Sequence, residues 1–75
     1  MNFGKNLQYL RRLSKNLTQE ELAEKLHVSR QTVSKWETNE ALPEMDKAFE
    51  LCRIFDRPLM FFIIIILKTI RINFF

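Results

Sequence analysis

Apolar side chains recur with a helical period between residues 18 and 37, and one short polar turn interrupts the pattern. The apolar positions are Leu22, Ala23, Leu26, Val33 and Trp36. Successive α-helical residues are about 100° apart, so the first three positions share one helix face and the last two share another. The pattern predicts two short helices, residues 19–26 and 30–37, that pack through these apolar faces.

Capping residues mark the start of both predicted helices. Thr18 is followed three residues later by Glu21, which is the spacing of a capping box. In that motif the hydroxyl accepts the amide of the later residue, and the carboxylate accepts the amide of the earlier one. His27 and Val28 are predicted to form the turn, and Ser29 is a favoured N-cap for the second helix.

The side of the second helix opposite Val33 and Trp36 is polar and has no carboxylate. Its residues are Gln31, Ser34, Lys35 and Thr38, with Arg30 near the helix start. Amide, hydroxyl and cationic groups on a short protruding helix match the hydrogen-bonding groups of base edges in a DNA major groove. An ordinary solvated face would usually mix both charge signs. We therefore interpret this helix as a DNA-reading element.

This segment resembles the phage-repressor/Cro-type helix-turn-helix family. The likeness is carried by Gln19-Glu20-Glu21-Leu22-Ala23 and by Val28-Ser29-Arg30-Gln31-Thr32-Val33-Ser34-Lys35-Trp36-Glu37. It extends over about residues 2–59 and includes residues 42–45, which open the fourth helix in such proteins. The resemblance implies an all-α, compact five-helix bundle of the lambda-repressor-like type, whose third helix lies in the major groove. It also implies a sequence-specific transcriptional regulator, with a repressor favoured, and a homodimer on double-stranded DNA.

The same resemblance assigns DNA contacts residue by residue. The positions are Thr18, Gln19, Ser29, Arg30, Gln31, Thr32, Ser34, Lys35 and Thr38. It implies that Arg30, Gln31 and Lys35 face bases, and that Gln19 contacts phosphate or a base edge. Thr18 would touch phosphate as well as cap its helix. The other hydroxyl-bearing residues would lie nearer the DNA backbone.

The resemblance also implies a structural ion pair between Arg12 and Glu37, which would tie the first helix to the end of the third. Two positions depart from the family pattern. His27 stands where glycine is usual, because the residue after a helix often adopts a left-handed backbone, at a cost near 1 kcal/mol for histidine. Thr38-Asn39 stands where Asn-Gly is frequent, and asparagine can serve the same turn.

Residues 1–58 are predicted to form the DNA-binding domain. A first helix at about residues 3–15 and a fourth at about 44–55 would complete a small core. The expected core residues in these parts are Phe3, Leu7, Leu10, Leu13, Leu17, Met45, Ala48, Phe49, Leu51, Cys52 and Phe55. The chain has one glycine and two prolines, which are too few for a flexible linker.

Charge is distributed unevenly, with a net +3 in residues 1–37 and −2 in residues 38–57. The positive half contains the predicted reading helix, as attraction to phosphate requires. The single cysteine excludes an internal disulfide and fits a reducing cytoplasm. No apolar segment follows the first basic residues, so no signal peptide is expected.

Residues 59–75 form a hydrophobic tail that contains the run LMFFIIIIL. It is too short to span a bilayer, which needs about 20 apolar residues. Three interpretations stay open: a dimerisation element, a membrane-surface segment, or a truncated or frameshifted end. Membrane contact is the least favoured. The β-branched run Ile63–Ile66 favours a strand, whereas Pro58 favours a helix start.

Two further functions were weighed. An enzyme is not expected, because the chain has no paired nucleophile and base, no Cys/His ligand set and no phosphate-binding glycine loop. For the same reasons no cofactor or metal is expected. The serious alternative is an antitoxin-like module of a toxin–antitoxin pair, which binds its own operator and covers a partner protein with its tail.

Overall fold

The computed structural model describes residues 2–74, with side chains described for residues 2–70. The helices are α1 (Phe3–Tyr9), which continues into a wide π-helical turn (Leu10–Ser14), α2 (Gln19–Leu26), α3 (Arg30–Glu37), α4 (Met45–Phe55) and α5 (Leu59–Phe74). This confirms the prediction of an all-α fold with five helices.

Local hydrogen bonds define the predicted helix starts. The Glu21 amide donates to the Thr18 hydroxyl at 3.0 Å, and the Glu21 carboxylate accepts the Thr18 amide at 2.8 Å. The bond that the Glu21 carboxylate accepts from the Thr18 amide, and secondly the nearby Thr18 hydroxyl, hold the pKa of Glu21 below its ordinary value. Ser29 caps α3 by accepting the Thr32 amide at 3.1 Å. His27 has a φ of 57°, the left-handed backbone that the sequence predicts.

Three residues expected in the core lie on the surface. Leu13, Met45 and Phe49 are all at least half exposed. Leu13 falls within the wide turn Leu10–Ser14, where Leu10 and Arg11 take the inward positions. On α4 the inward face is formed by Ala48, Leu51 and Phe55, and Met45 and Phe49 lie about 100° round the helix from it.

Helix α5 packs its inner face onto the bundle. Phe62 and Ile65 are buried in the same core as Phe3, and the Phe3 and Phe62 rings meet edge to face with centroids 6.4 Å apart. The segment is thus a helix and not a strand. None of the helices in the described part of the chain is long and apolar enough to cross a bilayer. A division of function at residue 58 stays a prediction, but the first three turns of α5 belong to the common core.

A hydrogen bond joins α5 to the start of α1. The Phe3 amide donates to the buried Thr69 hydroxyl at 2.9 Å, and that hydroxyl donates to the Ile65 carbonyl at 2.9 Å. The Phe3 amide is one of the helix-start donors that have no partner within their own helix. Thr69 therefore supplies a partner from a position 66 residues away.

We expect Thr69→Val to lower the free energy of unfolding by about 1–3 kcal/mol, because it leaves the buried Phe3 amide without an acceptor. Thr69→Ser is the matched control, since it keeps the hydroxyl and should lose less. Urea denaturation followed by circular dichroism measures both. Equal stability of the valine variant and the wild type would show that this bond does not hold α5 in place.

The only glycine of the chain marks the closest approach between α1 and α3. A Cβ atom on Gly4 would lie 2.7 Å from the carbonyl carbon of Glu37 and 2.9 Å from the carbonyl oxygen of Trp36. The Gly4 amide also donates to the Asn39 side chain at 3.0 Å. The lack of a side chain at residue 4 therefore lets the end of α3 rest directly on α1.

Candidate nucleic-acid interface

Helix α3 is held by its apolar side and leaves its polar side in solvent. Val33 and Trp36 are buried in the core beside Leu22 and Leu26 of α2. On the outer side, the residues predicted to face bases, Arg30, Gln31 and Lys35, are all exposed. All three residues stand on one helix of eight residues.

The other residues assigned to DNA surround this face. Thr18, Ser29 and Thr38 are exposed, whereas Gln19, Thr32 and Ser34 are half-buried. Several of their polar groups already have partners within the chain. The Ser29 and Thr32 hydroxyls lie 3.0 Å apart, and the Thr38 hydroxyl lies 2.6 Å from the Glu40 carboxylate. These hydroxyls must therefore share or exchange a bond to contact a ligand.

The ion pair at the end of α3 uses a different arginine from the predicted one. Arg11, and not Arg12, donates to Glu37, through Nε at 2.6 Å and Nη2 at 3.1 Å. Arg11 follows Leu7 by four residues and so shares its inward face, whereas Arg12 is turned out and exposed. The Arg11 guanidinium also donates to the Leu17 carbonyl at 2.9 Å. The prediction of an Arg12–Glu37 pair is wrong by one position.

The buried carboxylate of Glu37 also positions part of the outer face. Gln19 Nε2 donates to Glu37 Oε1 at 3.0 Å, and Gln19 Oε1 accepts from Arg30 Nη1 at 3.3 Å. A continuous chain of bonds thus runs from Arg11 to the exposed Arg30. No sequence pattern predicted the contact between Gln19 and Glu37, which joins the start of α2 to the end of α3.

An open groove of about 610 Å³ lies beside this series of hydrogen bonds, between the end of the first helix and the start of α2. Arg12 and Arg30 are among its lining residues, together with Thr18 and Gln19. The positive end of α2 also opens here. Glu20 is the exposed carboxylate in the lining and weakens the positive potential. The groove extends the polar face of α3 with cationic groups.

Two comparisons of the sequence with known proteins give matches. A profile of the helix-turn-helix family matches residues 7–62, from α1 into α5. The HTH-type transcriptional activator BcrR of Enterococcus faecalis is 54% identical to this chain over 46 residues. That alignment covers 61% of this chain but 22% of the relative. No solved structure gives a significant match.

Proposed function

Since this chain belongs to the helix-turn-helix family, we propose that it is a sequence-specific DNA-binding transcription regulator, acting as a repressor in the cytoplasm and reading the major groove with α3. The observation that carries this function is the separation of charges on α3. Arg30 and Lys35 are exposed, whereas Glu37, the one carboxylate of this helix, is turned inward against Arg11. No carboxylate of α3 itself therefore opposes phosphate at the exposed face, and the exposed Glu20 and Glu40 lie on the segments beside it.

Base recognition is assigned to Arg30, Gln31 and Lys35 on the outer face. Glutamine can bond both hydrogen-bonding groups of adenine, and arginine or lysine can bond those of guanine. Ser29, Thr32, Ser34 and Thr38 are assigned to the DNA backbone. Thr18 is assigned to phosphate, and Gln19 to phosphate or a base edge, at the start of α2, where the helix dipole adds to the attraction for phosphate.

Gln31→Ala should weaken binding to the preferred site by about 1–3 kcal/mol and relax base choice at one position. Selection from random duplexes followed by binding titrations at fixed salt would measure both effects. Lys25→Ala is the control, because this exposed residue lies on α2 beside Glu50 and Arg53, away from the outer face of α3. Equal losses on the preferred and a random duplex would remove Gln31 from base recognition.

A homodimer fits this function, because two reading helices on adjacent half-sites multiply a weak single contact. The net charge of +3 is small for a DNA-binding subunit acting alone. The outer face of α5 carries the exposed apolar residues Met60, Ile64 and Leu67, and a second copy of the chain could bind there and cover them.

Because the E. faecalis relative carries the name of an activator, expression of a reporter gene placed behind the selected site must be measured to learn whether this protein represses or activates. Increased expression in the presence of the protein would replace repression with activation.

A further inference from the structure

Two adjoining hollows on the outer side of α1 form a surface that is both apolar and positively charged. They measure about 320 and 300 Å³ and share Tyr9. Tyr9 is 54% exposed and Leu13 is 72% exposed, while Lys5, Arg12 and Arg57 supply the charge. No carboxylate is among the residues that line either hollow. These five residues are called the basic surface.

The first two turns of α4 form a surface of the same kind with the opposite charge. Met45 is 56% exposed and Phe49 is 50% exposed, one helical turn apart. Glu44 and Asp46, both exposed, flank Met45. Arg53 lies one turn beyond Phe49, at the far edge of this face. The four residues Glu44, Met45, Asp46 and Phe49 are called the acidic surface.

We propose that the basic surface of one copy binds the acidic surface of a second copy. Each surface carries two large exposed apolar residues, and the three cations of one are opposite in sign to the two carboxylates of the other. The proposed contact is heterologous: each copy uses its basic surface toward one neighbour and its acidic surface toward another. A heterologous contact leaves one surface free at each end and adds further copies in a row. It therefore differs from a closed pair formed through α5.

This contact leaves the reading helix free. Arg11, which reaches α3, lies about 200° round the first helix from Tyr9. Most of the basic surface thus lies on the side of the first helix away from its junction with α3, and at one edge its Arg12 and Leu13 also line the groove beside α2. Copies in a row can each present α3, which gives cooperative occupancy of neighbouring sites if the proposed function holds. The contact itself requires no DNA, and it is tested without DNA.

Sedimentation velocity over a concentration series, at low and high salt, measures the self-association of the full chain. We expect association that weakens with salt, because its charges are exposed. The double variant Lys5→Glu with Arg57→Glu, and separately the double variant Glu44→Lys with Asp46→Lys, should each raise the dissociation constant about tenfold or more. Arg12 is left unchanged because it also lines the groove beside α2.

Restoration is the decisive result. An equimolar mixture of the two double variants should associate again, and so should one chain that carries all four changes, since opposite charges then face each other once more. Glu24→Lys is the control for charge reversal, because this exposed carboxylate lies on α2 outside both surfaces. Circular dichroism verifies folding. If a double variant unfolds, Tyr9→Ser and Phe49→Ser replace it, and each should weaken association.

Three results would overturn the contact. The first is a wild-type chain that stays monomeric up to about 1 mM at low salt. The second is association that both double variants leave unchanged. The third is a mixture of the two double variants that does not associate. If Ile64→Lys abolished self-association and the charge reversals had no effect, all self-association would be assigned to the outer face of α5.

Discussion

Glu37→Ala is expected to lower the free energy of unfolding by about 3–5 kcal/mol, because it leaves the buried Arg11 guanidinium without its counter-charge. The two side chains are only 10% and 4% exposed, so water cannot replace the lost partner. The Gln19 amide loses its acceptor in the same variant. Thermal and urea denaturation of the purified variant, followed by circular dichroism, measure the effect.

Arg12 provides the matched control for this prediction. Arg12→Ala removes an exposed cation and should change stability by no more than about 0.5 kcal/mol, whereas Arg11→Ala should destabilise strongly. An unchanged melting temperature in Glu37→Ala would contradict the buried pair. A strong effect of Arg12→Ala, with none from Arg11→Ala, would return the pairing to the arginine that family resemblance implies.

Gly4→Ala is expected to destabilise the fold by about 3 kcal/mol, near the upper end for an added methyl group in a packed site. Alanine suits a helix better than glycine by about 1 kcal/mol, so any loss must come from the collision with α3. The colliding atoms belong to the backbone of Trp36 and Glu37 and cannot move aside as a side chain would. Urea denaturation gives the free energy of unfolding.

Lys5→Ala is the neighbouring control, because it puts an alanine at an exposed position of the same helix. It should leave stability within about 0.5 kcal/mol of the wild type. A Gly4→Ala variant more stable than the wild type would mean that α1 and α3 are further apart than described. In that case helix propensity alone would govern this position.

The reading unit was predictable because its signals are local. The Thr18–Glu21 capping box, the cap at Ser29 and the left-handed His27 each depend on residues a few positions apart, and all three occur as expected. The exposed side of α3 follows from the helical period of Val33 and Trp36. Its assigned DNA contacts stay predictions, since no nucleic acid is bound.

The wrong predictions concern residues whose orientation depends on a tertiary contact or on the wide turn after α1. Family spacing pointed to Arg12, whereas the inward face that begins with Phe3 and Leu7 selects Arg11. The π-helical turn that places Leu13 in solvent has no recognised sequence signal. The bond from Phe3 to Thr69 joins positions that are distant in the sequence, so no local pattern predicts it. Because nearly every position of α5 is apolar, its sequence did not indicate which face is buried.

The meeting of Phe3 with Thr69 sets an order of events during synthesis. Ribosomes add about 5–20 residues per second from the N-terminus, and domains commonly fold as their chain emerges. Here the Phe3 amide donates to a hydroxyl 66 residues downstream, and the Phe3 ring packs against Phe62, so neither contact can form before those residues are made. The contacts of Phe3 with α5 can therefore form only when nearly all of α5 has been made, so this end of the core is completed last.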